Sequence, residues 1–275
     1  MSTNLGMPRV GRKRELKFAT EKYWRQEITA SELLSTATDV VDDIYTQQLN
    51  AGIDLIPVND FSFYDRVLDL CCFLGITPER FSQNVKPLFL DEYFRLARGD
   101  GEIAAMEMTK WFDTNYHYLV PEIEATTNPS FSDQLFAQQI FPELDSKKQK
   151  FCLIGPVTFL ALAKGADSVD KYSIKKELSK AYTDLLKHIE NLGYTNIQIE
   201  EPILGSDLSD EDKSFFSSFY SKLSGTLNST TKTHLVTYFG NIEDNIDLLS
   251  SASFESVHLD LITDDSNLEN IKNVS

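Results

Sequence analysis

The sequence predicts an α/β protein built as a (β/α)₈ barrel of the TIM type, with about seven βα units and the eighth missing. Three observations lead to this fold class. Apolar residues make up 41% of the 275 residues, which is typical of a globular protein. Short apolar runs alternate with longer amphipathic stretches. The alternation repeats seven times, and repeated strand–helix units imply parallel strands joined by helical crossovers.

The predicted strands are short apolar runs that end at glycine, proline or polar residues. Gly11 follows the first run, Asn59 and Asp60 follow the second, and Gly155-Pro156 follows the fourth. In chain order the predicted strands are Leu5–Val10, Ile53–Val58, Met106–Phe112, Phe151–Ile154, Ile197–Ile199, His234–Phe239 and Val257–Leu261.

The predicted helices show apolar residues at a spacing of three to four. Thr29 and Glu32 form the capping-box pattern that opens the longest of the early helices, and Gly52 suits its left-handed C-terminal end. In order, the chain is predicted to form helices at Arg14–Gln26, from Thr29 to about Ala51, and at Tyr64–Leu74, Leu88–Arg98, Gln134–Ile140, Tyr172–Leu192, Asp210–Leu223 and Ile242–Ser250, with one more starting at Asp264. Asn84–Pro87 is predicted to be a loop.

The predicted barrel is one strand short, which leaves two explanations. Either one strand has no clear sequence signal, or the chain belongs to a longer protein whose eighth unit lies beyond Ser275. The second is favoured because residues 264–275 contain no run that could supply the strand. We therefore expect a single truncated barrel domain over residues 1–275.

The most basic stretch of this acidic chain is Gly11–Lys17. Residues 1–25 hold seven Lys or Arg against two Glu, a balance of +5, whereas the whole chain carries −16. Arg14 and Lys17 are three residues apart and share a helix face, close to an N-terminus that attracts anions. Charge pattern alone still favours a solvated basic turn.

Composition narrows the class of partner. The strong net negative charge argues against general nucleic-acid binding. The chain contains no apolar run long enough to cross a bilayer and no signal-peptide core, so we expect a cytoplasmic protein without membrane contact. Cys71, Cys72 and Cys152 form no metal-binding spacing, and the four histidines are scattered, so we expect no metal site in this chain.

Functional residues of a barrel collect where the strands end at their carboxyl side. Lys110 stands out there, because it is flanked by Trp111 and Phe112 in a predicted strand and burying an unpaired ammonium is costly. It must therefore reach the barrel mouth or pair with a carboxylate such as Asp113. At the mouth it would lie beside Arg14–Lys17, on a nearby strand. The other strand-end candidates are Asn59, Asp60, Asn115, Tyr116, His117, Thr158, Glu200, Glu201, Tyr238, His258 and Asp260.

Glu200 and Glu201 are adjacent in a predicted strand, so their side chains point to opposite faces. They are therefore not a paired acid–base dyad. We expect one to line the barrel mouth and the other to cap or pair behind it.

Long motifs of the chain resemble cobalamin-independent methionine synthase, the 5-methyltetrahydropteroyltriglutamate–homocysteine methyltransferase family. The resemblance extends over the whole chain and corresponds to the N-terminal part of that enzyme. It is carried by Asn4–Lys17, Ala51–Phe61, Glu107–Glu122, Leu153–Phe159 and Glu201–Leu204. Two departures are Asn59, where the family usually has Gly, and Glu200, where Asp is common.

The resemblance implies a fold of two (β/α)₈ barrels and a set of substrate contacts. Arg14, Glu15, Leu16, Lys17 and Lys110 match the positions that contact the methyl-folate and its glutamate tail. Arg and Lys suit such a polyanionic tail. Zinc, which activates homocysteine in the family, and homocysteine itself bind to the C-terminal barrel, which is absent here; no cobalamin is needed. No catalytic residue is therefore expected in this chain, which we predict to be inactive alone.

Two other functions remain open at this stage. One is a non-catalytic barrel that binds a polyanion or a partner through the basic face. The other is a different barrel enzyme, similar to uroporphyrinogen decarboxylase, against which the long N-terminal motif argues.

Overall fold

The computed structural model describes residues 1–7, 10–81, 89–132 and 145–272. Its centre is a five-stranded parallel sheet whose strands follow one another in chain order. These strands are β1 (Ile56–Val58), β5 (Gln149–Ile154), β7 (Asn196–Glu200), β8 (Lys232–Val236) and β9 (Ser256–His258). Four short strands lie outside this sheet: β2 (Met108–Lys110), β3 (His117–Leu119), β4 (Glu122–Ile123) and β6 (Lys164–Gly165).

Helices connect the strands of the sheet, as parallel pairing requires. Their bounds are α1 (Glu15–Trp24), α2 (Ala30–Asn50), α3 (Arg66–Phe73), α4 (Phe89–Arg98), α5 (Pro156–Leu162), α6 (Lys175–Asn191), α7 (Asp210–Thr226) and α8 (Asn267–Ile271). Short 3₁₀ helices cover Glu79–Phe81, Ser146–Lys148, Lys171–Ile174, Pro202–Gly205 and Glu243–Ser251. In the described part of the chain, no helix is long and apolar enough to cross a membrane.

The parallel alternation predicted from the sequence is confirmed for most of the sheet. Register is continuous across it, with Ile154 beside Glu200 and Glu200 beside Val236. One face of the sheet is apolar, with Phe151 and Ile199 buried in the same core as Leu185 of α6. Burial of these apolar side chains is the main stabilisation of the sheet–helix layer.

The opposite face of the sheet is polar although it is buried. Lys150, Gln198, Glu200 and His234 are all buried. The N-terminal segment lies against this face: the Lys150 Nζ donates to the Asn4 carbonyl at 3.0 Å, and Gln198 Nε2 donates to the Leu5 carbonyl at 3.3 Å. Lys150 and Gln198 are thus paired with main-chain carbonyls, as buried polar groups require.

The predicted first strand, Leu5–Val10, is wrong for the residues that the structure describes. The N-terminal segment joins the sheet earlier, through a single parallel bridge between Thr3 and Leu55. Leu5 to Met7 and Val10 have no strand conformation. Pro8 and Arg9 lie outside the described residues, as do the predicted loop Asn84–Pro87 and the predicted helix Gln134–Ile140.

The predicted third barrel strand, Met106–Phe112, is also wrong. Met108–Lys110 is extended, but it pairs antiparallel with His117–Leu119 in a hairpin apart from the main sheet. The hairpin is closed by hydrogen bonds from the Trp111 N–H to the Tyr116 carbonyl at 2.7 Å and from Thr114 Oγ1 to the Trp111 carbonyl at 2.7 Å. In the main sheet β1 therefore pairs directly with β5.

Helix ends follow their local sequence signals. The capping box is formed as predicted, with Glu32 N–H donating to Thr29 Oγ1 and Thr29 N–H donating to Glu32 Oε2. Gly52 has φ +77°, the left-handed conformation expected after the C-terminus of α2. The predicted helix Ile242–Ser250 is a 3₁₀ helix instead.

No closed barrel forms among the described residues. The edge strand β9 pairs with β8 alone, and β1 pairs with β5 and carries the single Thr3 bridge on its other side. What the structure establishes is an α/β fold with a parallel sheet.

Candidate functional site

A cavity of about 490 Å³ lies at the carboxyl edge of the sheet. Its lining combines the N-terminal segment, the start of α3, the hairpin turn and the ends of β5 and β8. The lining residues are Leu5, Asp65, Arg66, Val67, Trp111, Thr114, Tyr116, Ile154, Tyr238 and Phe239. A cavity at this edge of a parallel sheet is the usual place for a ligand.

Arg66 and Glu200 form a bidentate ion pair beside the cavity. Arg66 Nη1 and Nη2 donate to the two Glu200 oxygens at 3.0 and 3.1 Å, and Tyr238 Oη adds a third bond at 3.1 Å. The side chains are 19% and 5% exposed. Burial lowers the pKa of Arg66, but the charge of Glu200 and its hydrogen bonds outweigh it and raise that pKa above its ordinary value. The guanidinium therefore stays charged.

Asp65 links the hairpin to the N-terminus of α3 through hydrogen bonds. As the N-cap of α3 its carboxylate accepts from the Leu68 N–H at 3.0 Å, and it also accepts from the Leu119 N–H at 3.0 Å and from Tyr116 Oη at 3.2 Å. Burial raises the pKa of Asp65, and these hydrogen bonds limit the increase because they stabilise the carboxylate. Because the start of α3 and the hairpin meet on one carboxylate, the position of the hairpin depends on it.

Glu201 points away from Glu200, as its place in the strand predicts. Its oxygens accept from the Val157 and Thr158 N–H groups, at 3.0 and 2.6 Å, at the start of α5, and from Tyr220 Oη at 2.5 Å. Burial raises the pKa of Glu201 to about 7, against the effect of these hydrogen bonds. Gly155 has to be glycine here, since a Cβ would lie 2.2 Å from Glu201 Cδ.

Three other strand-end candidates, Asn59, Asp60 and Asp260, form hydrogen bonds at the carboxyl edge of the sheet. Asn59 has φ +60°, which explains why glycine would suit this position, and its Nδ2 donates to the Cys152 carbonyl at 2.8 Å. Asp60 accepts from the Met7 N–H at 3.0 Å. Asp260 accepts from the Phe239 N–H at 2.9 Å; burial opposes its ionisation, but this bond and those from residues 262 and 263 lower the pKa of Asp260 to about 2.

Arg14–Lys17 opens α1, as predicted. Arg14 is the N-cap residue in a left-handed conformation with φ 62°, and its guanidinium lies 5.5 Å from the Phe18 ring centre. The Glu15 carboxylate accepts from the Lys13 N–H at 2.9 Å. Leu16 is 4% exposed, whereas Lys17 is exposed and lies 3.7 Å from Glu21.

Lys110 is exposed at the end of β2, next to Trp111 of the cavity wall. The structure places no ion-pair partner for it among the described residues, so the alternative of a pair with Asp113 is not seen. Lys110 was expected beside Arg14–Lys17 because both would follow nearby parallel strands of a barrel. That reasoning is wrong, because Lys110 lies in an antiparallel hairpin and not in a parallel strand. Its hairpin packs on α3, while α1 packs on α2.

Sequence reasoning missed Asp65, Arg66 and Phe239 as site residues. Asp65 and Arg66 were placed inside a predicted helix that began at Tyr64. An aspartate directly before a helical run is a common N-cap, and Asp65 in that position is the signal that locates the start of α3. Phe239 is the last residue of a predicted strand, and no local signal in the sequence shows that its ring is exposed.

No metal site is formed in the part of the chain that the structure describes, where no three His, Cys, Asp or Glu side chains cluster. His234 is instead hydrogen-bonded to Ser256 Oγ at 2.8 Å and to Asn196 Oδ1 at 3.1 Å. Burial lowers the pKa of His234 to about 4. The described residues thus offer zinc no ligand cluster, and the resemblance assigns zinc to the C-terminal barrel.

The fold and the site together define a parallel α/β domain with a ligand-sized cavity at the carboxyl edge of its sheet. More particularly, the chain belongs to the family described as cobalamin-independent synthase, N-terminal domain, which matches residues 1–275.

Curated relatives carry the name 5-methyltetrahydropteroyltriglutamate–homocysteine methyltransferase. The chain is 40% identical to the one from Actinobacillus pleuropneumoniae serotype 7 over 94% of this chain and 34% of the relative. It is 38% identical to the one from Salinibacter ruber over 98% of this chain and 36% of the relative. The chain thus spans about a third of the length of the curated relatives it matches.

Solved structures support the fold alone, since their sequence identity is low. A B12-independent methionine synthase from Shewanella sp. W3-18-1 matches with a TM-score of 0.59 at 16% identity, over 90% of this chain and 70% of the other. A putative vitamin-B12-independent methionine synthase from Listeria monocytogenes matches with a TM-score of 0.56 at 13% identity, over 94% and 72%.

Proposed function

We propose that this chain is the folate-binding part of a methyltransferase that moves a methyl group from 5-methyltetrahydropteroyltriglutamate to homocysteine, giving methionine. The observation that carries the proposal is the family match over residues 1–275, together with the names of the curated relatives. The role of this part is to bind the folate and its polyglutamate tail. The reaction takes place in the cytoplasm.

The tail is bound by the charges of Arg14, Lys17 and Lys110. All three side chains are exposed in a chain of net charge −16, and Arg14 and Lys110 have no ion-pair partner among the described residues. Cations left unpaired against such a background are suited to an anionic ligand, and γ-linked glutamates supply several carboxylates.

Glu15 and Leu16 act differently from their basic neighbours. Glu15 would repel a carboxylate, but its oxygen is occupied by the Lys13 N–H, so it shapes the turn before α1. Leu16 is buried and anchors α1 in the core. The N–H groups of Glu15 and Lys17 have no backbone acceptor among the described residues, and a tail carboxylate can accept from them at the helix N-terminus.

The fold proposed for this part is a (β/α)₈ barrel of about seven units, which spans residues 1–275 as one domain. Five parallel strands in chain order and the bridge from Thr3 to Leu55 support it. Zinc and homocysteine are bound by a second barrel, in the part of the longer relatives with which this chain does not align. This chain alone forms no methionine, and methionine formation by the purified chain would contradict that assignment.

Charge-removing variants test the tail site. In calorimetric titrations with 5-methyltetrahydropteroyltriglutamate, Lys110→Ala and Arg14→Gln should each weaken binding roughly fivefold, about 1 kcal/mol for an exposed charge-assisted contact. Lys187→Ala, which removes an exposed lysine from α6, is the matched control and should leave the affinity unchanged. Equal affinities for all four proteins would refute the assignment.

A further inference from the structure

A second cavity, of about 310 Å³, lies at the amino edge of the sheet, the opposite edge from the 490 Å³ cavity. Lys232, which opens β8, and Glu255, which directly precedes β9, both line it, together with residues from the end of α7. A volume of this size accommodates a small organic molecule. The chemistry of the lining indicates which class of molecule fits.

The buried part of the lining is mainly apolar. Leu223 of α7 is buried in the protein core, and Leu227 and Phe254 are partly buried and pack against that core. The Phe254 ring is held in place by the Tyr220 ring, 5.3 Å away between ring centres. These three side chains offer a ligand an apolar surface at the inner side of the cavity.

The exposed part of the lining carries one charge of each sign. Lys232 Nζ donates to Glu255 Oε1, and this hydrogen bond holds the pKa of Glu255 below its ordinary value. The carboxylate is therefore ionised at neutral pH. Both side chains are exposed, and an exposed ion pair contributes little to stability, so a ligand can open it at little cost. A ligand with both an ammonium and a carboxylate would replace both interactions.

The end of α7 adds negative potential beside Glu255. The last turn of this helix, residues 223–226, contains no basic residue, and Ser224 and Leu227 at its end belong to the cavity lining. The carboxyl end of a helix carries a partial negative charge and attracts cations. The surroundings of Glu255 thus suit an ammonium group, while Lys232 suits a carboxylate.

The walls of the cavity are fixed before any ligand binds. Glu190 of α6 holds the loop after α7, because its Oε1 accepts from the Asn228 N–H at 2.8 Å and from Thr231 Oγ1. The Thr231 N–H closes the same loop on the Asn228 carbonyl at 2.9 Å, and the Glu255 N–H donates to the Thr233 carbonyl at 2.8 Å. A preformed site loses less entropy when it binds a ligand.

We propose that this cavity binds a free α-amino acid with an apolar side chain. The ammonium pairs with Glu255 and the end of α7, and the carboxylate pairs with Lys232. The side chain packs on Leu223, Leu227 and Phe254. Methionine, the product of the proposed reaction, is one member of this class and leucine is another, so the site does not rest on the proposed function.

Amide signals in ¹⁵N NMR spectra of the purified chain locate the site. Titration with L-methionine or L-leucine should saturably shift the signals of residues 224–233 and 253–255 and leave those of Trp111 and Tyr116, at the other cavity, in place. N-acetyl-L-methioninamide keeps the side chain but lacks both charges, so it should bind at least about tenfold more weakly. Absence of a saturable shift at these residues, or equal binding of the uncharged compound, would overturn the proposal.

Two exposed variants assign the charges. Lys232→Gln and Glu255→Gln should each weaken L-methionine binding about five- to tenfold with little change in melting temperature, because their ion pair is exposed. Glu255→Gln should not weaken binding of 4-(methylthio)butanoate, which has no ammonium, whereas Lys232→Gln should. Lys164→Gln, which breaks a similarly exposed pair with Glu107, is the matched control and should bind like the unmodified protein. Equal L-methionine affinities for all these proteins would contradict the assignment.

The same variants keep this site separate from the proposed folate site. Lys232→Gln should leave the affinity for 5-methyltetrahydropteroyltriglutamate unchanged, since Lys232 lies at the amino edge of the sheet. Lys110→Ala should likewise leave L-methionine binding unchanged. Loss of L-methionine binding in Lys110→Ala would contradict the placement of the amino-acid site, whatever the outcome of the folate titrations.

Discussion

Replacing Glu200 by glutamine should strongly destabilise the protein, because it leaves the charge of Arg66 in a largely buried site. Glu200 is 5% exposed and accepts four hydrogen bonds, two from Arg66 and one each from Tyr238 and Gln198. Removing one partner of a buried ion pair costs about 3–5 kcal/mol. Because Arg66 is still 19% exposed beside an open cavity, we expect the lower end, about 3 kcal/mol.

Urea unfolding followed by far-UV circular dichroism measures this loss. Glu269→Gln is the matched control, since it breaks an exposed pair with Lys272 and should cost less than about 1 kcal/mol. The double variant Arg66→Met/Glu200→Met should lose less stability than Glu200→Gln, because no charge is left unpaired. A loss below about 1 kcal/mol in Glu200→Gln would refute the reasoning that this pair holds the sheet edge.

Three further predictions concern buried polar groups. Asp65→Asn should free the hairpin, so that amide hydrogen exchange at Leu119 accelerates by more than tenfold; unchanged exchange would show that Asp65 does not fasten it. The pKa of Glu201 is raised to about 7, so the folded state binds its proton more tightly and this carboxyl's contribution to stability falls as pH rises from about 4.5 to 7. Glu201→Gln, which cannot ionise, should show a flatter denaturation profile over that window, and a parallel profile would contradict the assignment. The pKa of His234 is lowered to about 4, so its contribution is lost as pH falls from about 6.5 towards 4, and His234→Gln should remove that loss in the same assay.

Much of the sheet could be predicted from the sequence because its strands carry strong local signals. The predicted run Phe151–Ile154 lies inside β5 and begins two residues late, and Ile197–Ile199 lies inside β7 and is one residue short at each end. Apolar runs bounded by Gly155-Pro156 or by charged residues mark a buried strand whatever its neighbours are. The capping box at Thr29 is equally local, and it was predicted correctly.

Strand pairing is not local, and there the prediction failed. Met108–Lys110 has the composition of a strand in either arrangement, and only the partner His117–Leu119 makes it a hairpin. A run of a few residues does not encode which strand it will pair with. The predicted barrel order was therefore wrong at this point.

The site could be predicted only where its geometry depends on the local sequence. Alternation along a strand was enough to send Glu200 and Glu201 to opposite sides, which is confirmed. The partner of Glu200, however, lies 134 residues away in Arg66. Only the folded chain shows that pair and the aromatic cavity beside it.

Binding of a folate by its polyglutamate tail is the role we propose for this chain. Its most direct test is the affinity of the purified chain for 5-methyltetrahydropteroyl mono- and triglutamate, measured by calorimetry at low and high salt. We expect the triglutamate to bind at least about tenfold more tightly, with the advantage shrinking as salt screens the added carboxylates. Equal affinities at low salt would contradict the account and favour a polyanion- or partner-binding domain instead.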